Sequence, residues 1–249
     1  MKTLFSILVL ILLTLRCGAS KTSTPKPTKT SSSASSSVSS NSDVLVTDNS
    51  LSGPNVLTVK IGKMSVCGTI YVNEPCASIS LCVPGTSTCQ TITDMVVDTG
   101  SVGVRVFKSV LNIDLPSVED SSSKPIAECA EFGSAETWGP VATAEISLAG
   151  EPLVKSSIQL IDGAYEKPPS NCSSSVTSPS EAGFNGILGI GLFTSDCGSA
   201  CEVQATNNMY FSCANGSCSG IAIPESQQLQ NPVALFPTDN NGLLLACRQ

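Results

Sequence analysis

Asp98 has the strongest claim to chemistry. It ends the apolar run Met95-Val96-Val97 and opens the turn Thr99-Gly100-Ser101, after which a second apolar run leaves from Val102. Val96 and Val97 are strand formers, so the run delivers one carboxylate to a strand end. Gly100 permits a backbone that other residues resist. The Ser101 hydroxyl can hydrogen-bond the carboxylate and hold it still. A carboxylate placed this way activates a water when a second carboxylate faces it and the two share one proton. The plainer alternative is an aspartate that only shapes a strand-end turn, since four residues recur by chance.

Composition narrows the chemistry further. The 249 residues contain no histidine, which removes Ser-His-Asp and Cys-His catalysis and histidine-ligated metal sites. Carboxylate chemistry survives. A formal net charge of -7 argues against nucleic acid, which calls for a basic face. Twelve cysteines suggest an oxidising compartment. Their spacing offers no repeated Cys-x-x-Cys pair, so zinc is the weaker reading, and neither metal nor cofactor is expected.

Three kinds of segment precede or follow the globular part. Residues 1–16, with Lys2 before the apolar run Leu4 to Leu15, read as an export signal too short to span a bilayer comfortably. Cys17 follows at once, in a pattern resembling a bacterial lipoprotein signal whose cysteine becomes lipidated. Arg16 and Thr14 depart from that pattern, and ordinary cleavage after Ala19 is the rival. Residues 17–54 are Ser/Thr-rich and read as a disordered tether. About thirty such residues reach roughly 30 Å as a random coil, enough to hold a folded domain clear of a membrane. Residues 243–249 form an apolar tail, read as a truncation point.

Residues 55–242 read as one all-β unit. Leu57, Val59 and Ile61 alternate with Thr58 and Lys60, predicting a strand over 56–62. Residues 77–83 alternate likewise, Pro84-Gly85 turns the chain, and 88–97 returns as the partner strand carrying Asp98. A short helix is expected near Ser109, a hairpin over 132–150, a strand over 156–162, and a buried, glycine-punctuated strand over 185–191. Proximity suggests disulfides Cys67/Cys76, Cys82/Cys89, Cys129/Cys172, Cys197/Cys201 and Cys213/Cys218, although sequence does not fix connectivity.

Three features now stand in order: Val-Val-Asp98-Thr99-Gly100-Ser101, a Phe-Gly hairpin, and Asn185-Gly-Ile-Leu-Gly-Ile-Gly191. Together they resemble the N-terminal lobe of pepsin-like aspartic peptidases. The wording of Cys82 to Cys89, Glu128 to Phe132 and Asn231 to Phe236 also resembles a family of exported bacterial proteins of uncharacterised function related to those peptidases. The resemblance implies a single double-psi β-barrel lobe with disulfides. It makes Asp98 the catalytic aspartate, Thr99 and Gly100 its turn, and Ser101 its hydrogen-bond partner. It makes Phe132 and Gly133 one side of a flap, Gly139 the far side, and Ile187 to Gly189 a strand crossing beneath the aspartate; Trp138, inside the flap, is a candidate to replace the family's supporting tryptophan.

The departures are equally informative. Phe132 lacks the flap hydroxyl, Arg105 stands in place of a supporting tryptophan, and no second Asp-Thr-Gly or Asp-Ser-Gly occurs. The implied readings are a peptidase-like lobe inactive as a monomer, a peptidase completed by a homodimer partner or a missing C-terminal half, and a module that only binds extended peptide or protein.

Overall fold

The computed structural model describes residues 53–246, apart from residues 63, 64, 72 and 134. The export signal, Cys17 and the tether as far as residue 52 lie outside the described residues, as do positions 247–249. The strands are β1 (Lys60–Ile61), β2 (Pro75–Cys82), β3 (Cys89–Asp98), β4 (Val102–Phe107), β5 (Ile126–Phe132), β6 (Ala135–Ser147), β7 (Val154–Ile161), β8 (Gly186–Ile190), β9 (Tyr210–Ala214) and β10 (Ser217–Gly220). Among the described residues, helices are short pieces, including α1 (Pro179–Ala182) and α2 (Ser199–Val203).

Six strands close on themselves in the order β2-β3-β8-β4-β7-β6, and β6 pairs back to β2 through Ser80↔Ser147 and Cys82↔Glu145. Closure removes the unpaired edges that an open sheet would expose. The interior holds Ile79, Leu81, Met95, Val97, Val104, Val106, Ala142, Ala144, Ile146, Ile158 and Leu188 in one cluster. Ala142, Ala144 and Ile146 face inward from alternate positions of β6, as period-two patterning requires.

Two crossings in this barrel position the Asp98 turn. Strand β8 inserts between β3 and β4, parallel to the first and antiparallel to the second. Strand β4 in turn runs parallel to β7. Consecutive strands β3 and β4 are therefore not neighbours, and residues 99–101 must bridge the strand between them.

The strand expected over 56–62 is reduced to Lys60–Ile61. Those two residues pair with Cys76 and Pro75, but Ser80 to Cys82 on the same strand are already bonded to β6. Leu57 and Val59, left without a ladder, pack half-buried against the core. The hairpin expected over 132–150 also shifts. Residues 135–147 are one continuous strand, and its hairpin partner is the earlier β5, from Ala127↔Pro140 to Phe132↔Ala135. The first half of β6 serves β5 and its second half closes the barrel, which is why a single alternating stretch looks like two arms.

Residues 194–220 contain more than two cysteine loops. Cys197 and Cys201 bracket the start of α2, while Cys213 and Cys218 face each other across the β9–β10 hairpin. Asn215 and Gly216 turn that hairpin, both with positive φ, as a two-residue connection demands. Disulfides also join Cys67 to Cys76, Cys82 to Cys89 and Cys129 to Cys172. The last closes the longest loop, at a sequence separation of 43, worth about 4 kcal/mol in the chain-entropy model.

Candidate functional site

Asp98 sits where β3 ends, half-exposed, with both carboxylate oxygens engaged. The Gly100 amide donates to Oδ1 at 2.8 Å and the Ser101 hydroxyl donates to Oδ2 at 2.5 Å. The four-residue motif thus orients its own carboxylate, with Ser101 as the side-chain partner. Below the turn, Asp98 stands in register with Gly189 of β8, and Gly103 stands on its other side. A Cβ on Gly189 would come within 2.7 Å of the Gly103 carbonyl oxygen and 2.9 Å of Ser101 Oγ. Only glycine lets the crossing strand approach this closely, which explains the glycine punctuation of residues 186–191. The Gly191 amide then donates to the Ser101 carbonyl at 2.8 Å, so β8 props the turn from beneath.

Immediately beyond Gly191 the surface changes character. Leu192 is 98% exposed and Phe193 75% exposed, beside a turn that carries an ordered carboxylate. Asn231 Nδ2 donates to the Gly191 carbonyl at 2.8 Å and fixes the backbone from which these side chains project.

The residues assigned to a flap divide into two groups. Phe132 and Gly133 lie at the tip of the β5–β6 hairpin, where Gly133 has a positive φ of 51° and open space around it. Trp138 and Gly139 lie at its buried base. Trp138 is fully buried, donates from its indole nitrogen to the Tyr165 carbonyl at 2.8 Å, and packs edge-on against Phe211. Gly139 pairs with Glu128, and a Cβ there would overlap the Leu160 carbonyl oxygen. Trp138 therefore supports the hairpin base rather than its tip.

A second group of ionisable side chains, which sequence reading missed, lies under the hairpin. Arg105 on β4 is 1% exposed. Its Nη2 donates to Glu128 of β5 at 2.5 Å and to Asp196 at 3.1 Å. Its Nη1 donates to the Val102 carbonyl at 2.8 Å, and the guanidinium lies 5.4 Å from the centre of the Phe132 ring. Tyr210 of β9 donates its hydroxyl to Asp196 at 2.8 Å and accepts the Leu229 amide at 2.9 Å. Arg105 thus touches the ring at the hairpin tip, by a cation–π contact of the kind worth about 1 kcal/mol. The available signal was an arginine inside the apolar run 102–107: a strand buried at every position must bring counter-charges to it.

Burial pulls these groups away from their ordinary behaviour. Desolvation, then the neighbouring Glu128 charge, pushes the Asp196 carboxyl well above the usual range despite Arg105 beside it. Desolvation and the same two carboxylates raise the Tyr210 phenol. Desolvation alone would lower Arg105, but Glu128 and Asp196 outweigh it.

Asp94, four residues before Asp98, has a structural role. It adopts a positive φ at a bulge where β2 and β3 slip by one residue, and it accepts from Ser65 Oγ, Val66 N, Cys67 N and Thr93 Oγ. Cys67, Glu74 and Cys76 cluster closely enough to hold an ion, yet the two cysteines are bonded to each other and offer no thiolate. Among the described residues, the ion pairs are those of Arg105 with Glu128 and Asp196, and that of Lys108 with Asp162; Asp98 takes part in none. No helix among the described residues is long and apolar enough to cross a membrane.

The model of a protein family described as Protein of unknown function (DUF3443) matches residues 52–249, most of the chain and all of the barrel. The chain belongs to the DUF3443 family. Within this DUF3443 member, the matched span includes the Asp98 turn, the β5–β6 hairpin, the β8 strand and the Arg105 cluster. Comparison with curated proteins finds no match.

Proposed function

We propose that this chain is an exported, lipid-anchored, aspartic-peptidase-like lobe that presents one half of a hydrolytic centre and is inactive as a monomer. The observation that carries the reading is the Asp98 turn. Its carboxylate is ordered by Gly100 and Ser101 and propped from below by a glycine-bearing strand inserted between the two strands it joins. A carboxylate oriented at the surface of a rigid barrel serves as the base that polarises a water. Hydrolysis of an amide also needs an acid for the leaving nitrogen, and a pair of close carboxyls sharing one proton supplies both. Among the described residues, Asp98 is bonded by the Gly100 amide and the Ser101 hydroxyl of its own turn, so in this reading the second carboxyl comes from another chain or lobe brought against this face. The exposed Leu192 and Phe193 beside the turn favour such an encounter.

Export is supported by five disulfides in a fold of this size. Cys17 after the apolar run is the lipid attachment point in this reading. Cys17→Ser should move the protein from the membrane to the soluble fraction and remove an acyl mass from its N-terminal peptide. Equal fractionation of parent and variant, with no acyl chain on either, would discard the anchor.

The hydrolytic reading is tested on protein held monomeric, as judged by sedimentation. Denatured protein offered across acid pH should remain uncleaved by the monomer, and Asp98→Asn should change nothing at that concentration. Turnover by the monomer that disappears in Asp98→Asn would reveal a second catalytic group within this chain.

A further inference from the structure

The Arg105 cluster contains one guanidinium and two carboxyl groups that converge on the same nitrogen, with side chains at most 3% exposed. If both carboxyls were ionised, the cluster would carry a net negative charge away from water. Isolated buried charge is among the costliest things a fold can hold, and it is avoided by taking up a proton. The remaining groups that face the site cannot balance it. Tyr210 donates a hydrogen bond to Asp196 from β9 but brings no positive charge. Val102 on β4 and Leu229 contribute only backbone groups. Gln159, from β7, is neutral and uses its amide on the Glu128 and Thr137 carbonyls and the Thr137 hydroxyl. One oxygen of Glu128 has no hydrogen-bond partner among the described residues, so nothing there offsets a second negative charge.

We infer that Asp196 carries a proton beside the Arg105–Glu128 ion pair, making the cluster a buried proton-binding site that ties together β4, β5, β9 and the segment after β8. With the proton present, the cluster carries no net charge, and the Arg105 donor without a partner among the described residues is Nε. With it lost, the same four segments surround an unbalanced charge. Two of them frame the Asp98 turn, and a third carries Phe132 at the hairpin tip. Acid therefore tightens the framework on which the turn and the hairpin stand. The inference rests on the cluster alone and holds whether or not Asp98 catalyses anything.

The direction of the linkage follows from the shift. The folded state holds its proton to higher pH than the unfolded chain, where an aspartate titrates near 3.9. The stabilisation from this site is fully present below that value and is lost as pH rises through the folded value. Asp196→Asn keeps the shape and removes the titration. Its melting temperature, measured relative to the parent, should rise by several degrees from about pH 4 to about pH 7. Parallel melting curves for the two proteins across that window would overturn the inference. Because the substituted amide lacks the carboxyl's pairing options and the variant can misfold, a second measurement is made on the parent alone. Infrared spectra of protein carrying 13C-labelled aspartate and glutamate should show a protonated carboxyl band that persists at neutral pH. A spectrum containing only ionised carboxylates at neutral pH would equally overturn it.

Discussion

Replacing Arg105 with leucine should destabilise the protein by about 3–5 kcal/mol, among the largest effects of any single substitution. The leucine side chain suits its neighbours on β4, and the strand is buried at every position. The loss arises from what remains behind. Glu128 and Asp196 would face each other in a dry site with no cation, and the Val102 carbonyl would lose its donor. Phe132 would lose the charge beneath its ring. Equilibrium denaturation reads the effect directly. Restoring charge balance by adding Glu128→Gln and Asp196→Asn should recover part of it, because the penalty comes from uncompensated charge rather than from lost packing. A single Arg105→Leu variant as stable as the parent would show that the cluster is not charge-balanced as described.

Gly139→Ala should cost about 4 kcal/mol or more and lower the yield of folded protein. The residue pairs with Glu128 and lies against β7, where an added Cβ would overlap the Leu160 carbonyl oxygen and come within 2.8 Å of the Asp162 amide nitrogen. Both obstacles are backbone atoms of the barrel and its exit, so neither can rotate away. The informative contrast is Gly133→Ala at the hairpin tip. That position has a positive φ and open space, so the expected cost is only about 1 kcal/mol of backbone strain. Thermal or urea unfolding of the pair separates a steric requirement at the base from a conformational one at the tip. Similar losses at the two positions would mean that the base is looser than its geometry indicates.

Some of this architecture was legible from residue types alone. Alternation located β2 and β3, and with them the turn that carries Asp98. Ser101 and Gly100 could be read as partners of that carboxylate because both act within three residues of it. The glycine spacing of residues 186–191 announced close backbone approach before its object, the β3–β4 pair, was visible. Disulfide pairing followed proximity in the chain for the short loops.

What stayed hidden depends on contacts between distant segments. Arg105 finds its counter-charges 23 and 91 residues away, on β5 and after β8, a pairing that no local pattern encodes. The alternation of β6 is correct throughout, yet its two halves bond to different partners, so pattern alone misplaced the hairpin arms. β1 pairs only through Lys60 and Ile61, and β6 takes the far end of the same β2 edge at Ser80 to Cys82. In each case the missing information was which edge or which charge was already taken.

The most direct test of the half-site reading is turnover measured as a function of chain concentration, with association followed in the same samples. The account predicts no hydrolysis of denatured protein by the monomer at any acid pH. It also predicts that any cleavage at high concentration follows the associated fraction and vanishes in Asp98→Asn. Hydrolysis that scales linearly with chain concentration in wholly monomeric samples, and depends on Asp98, would contradict it.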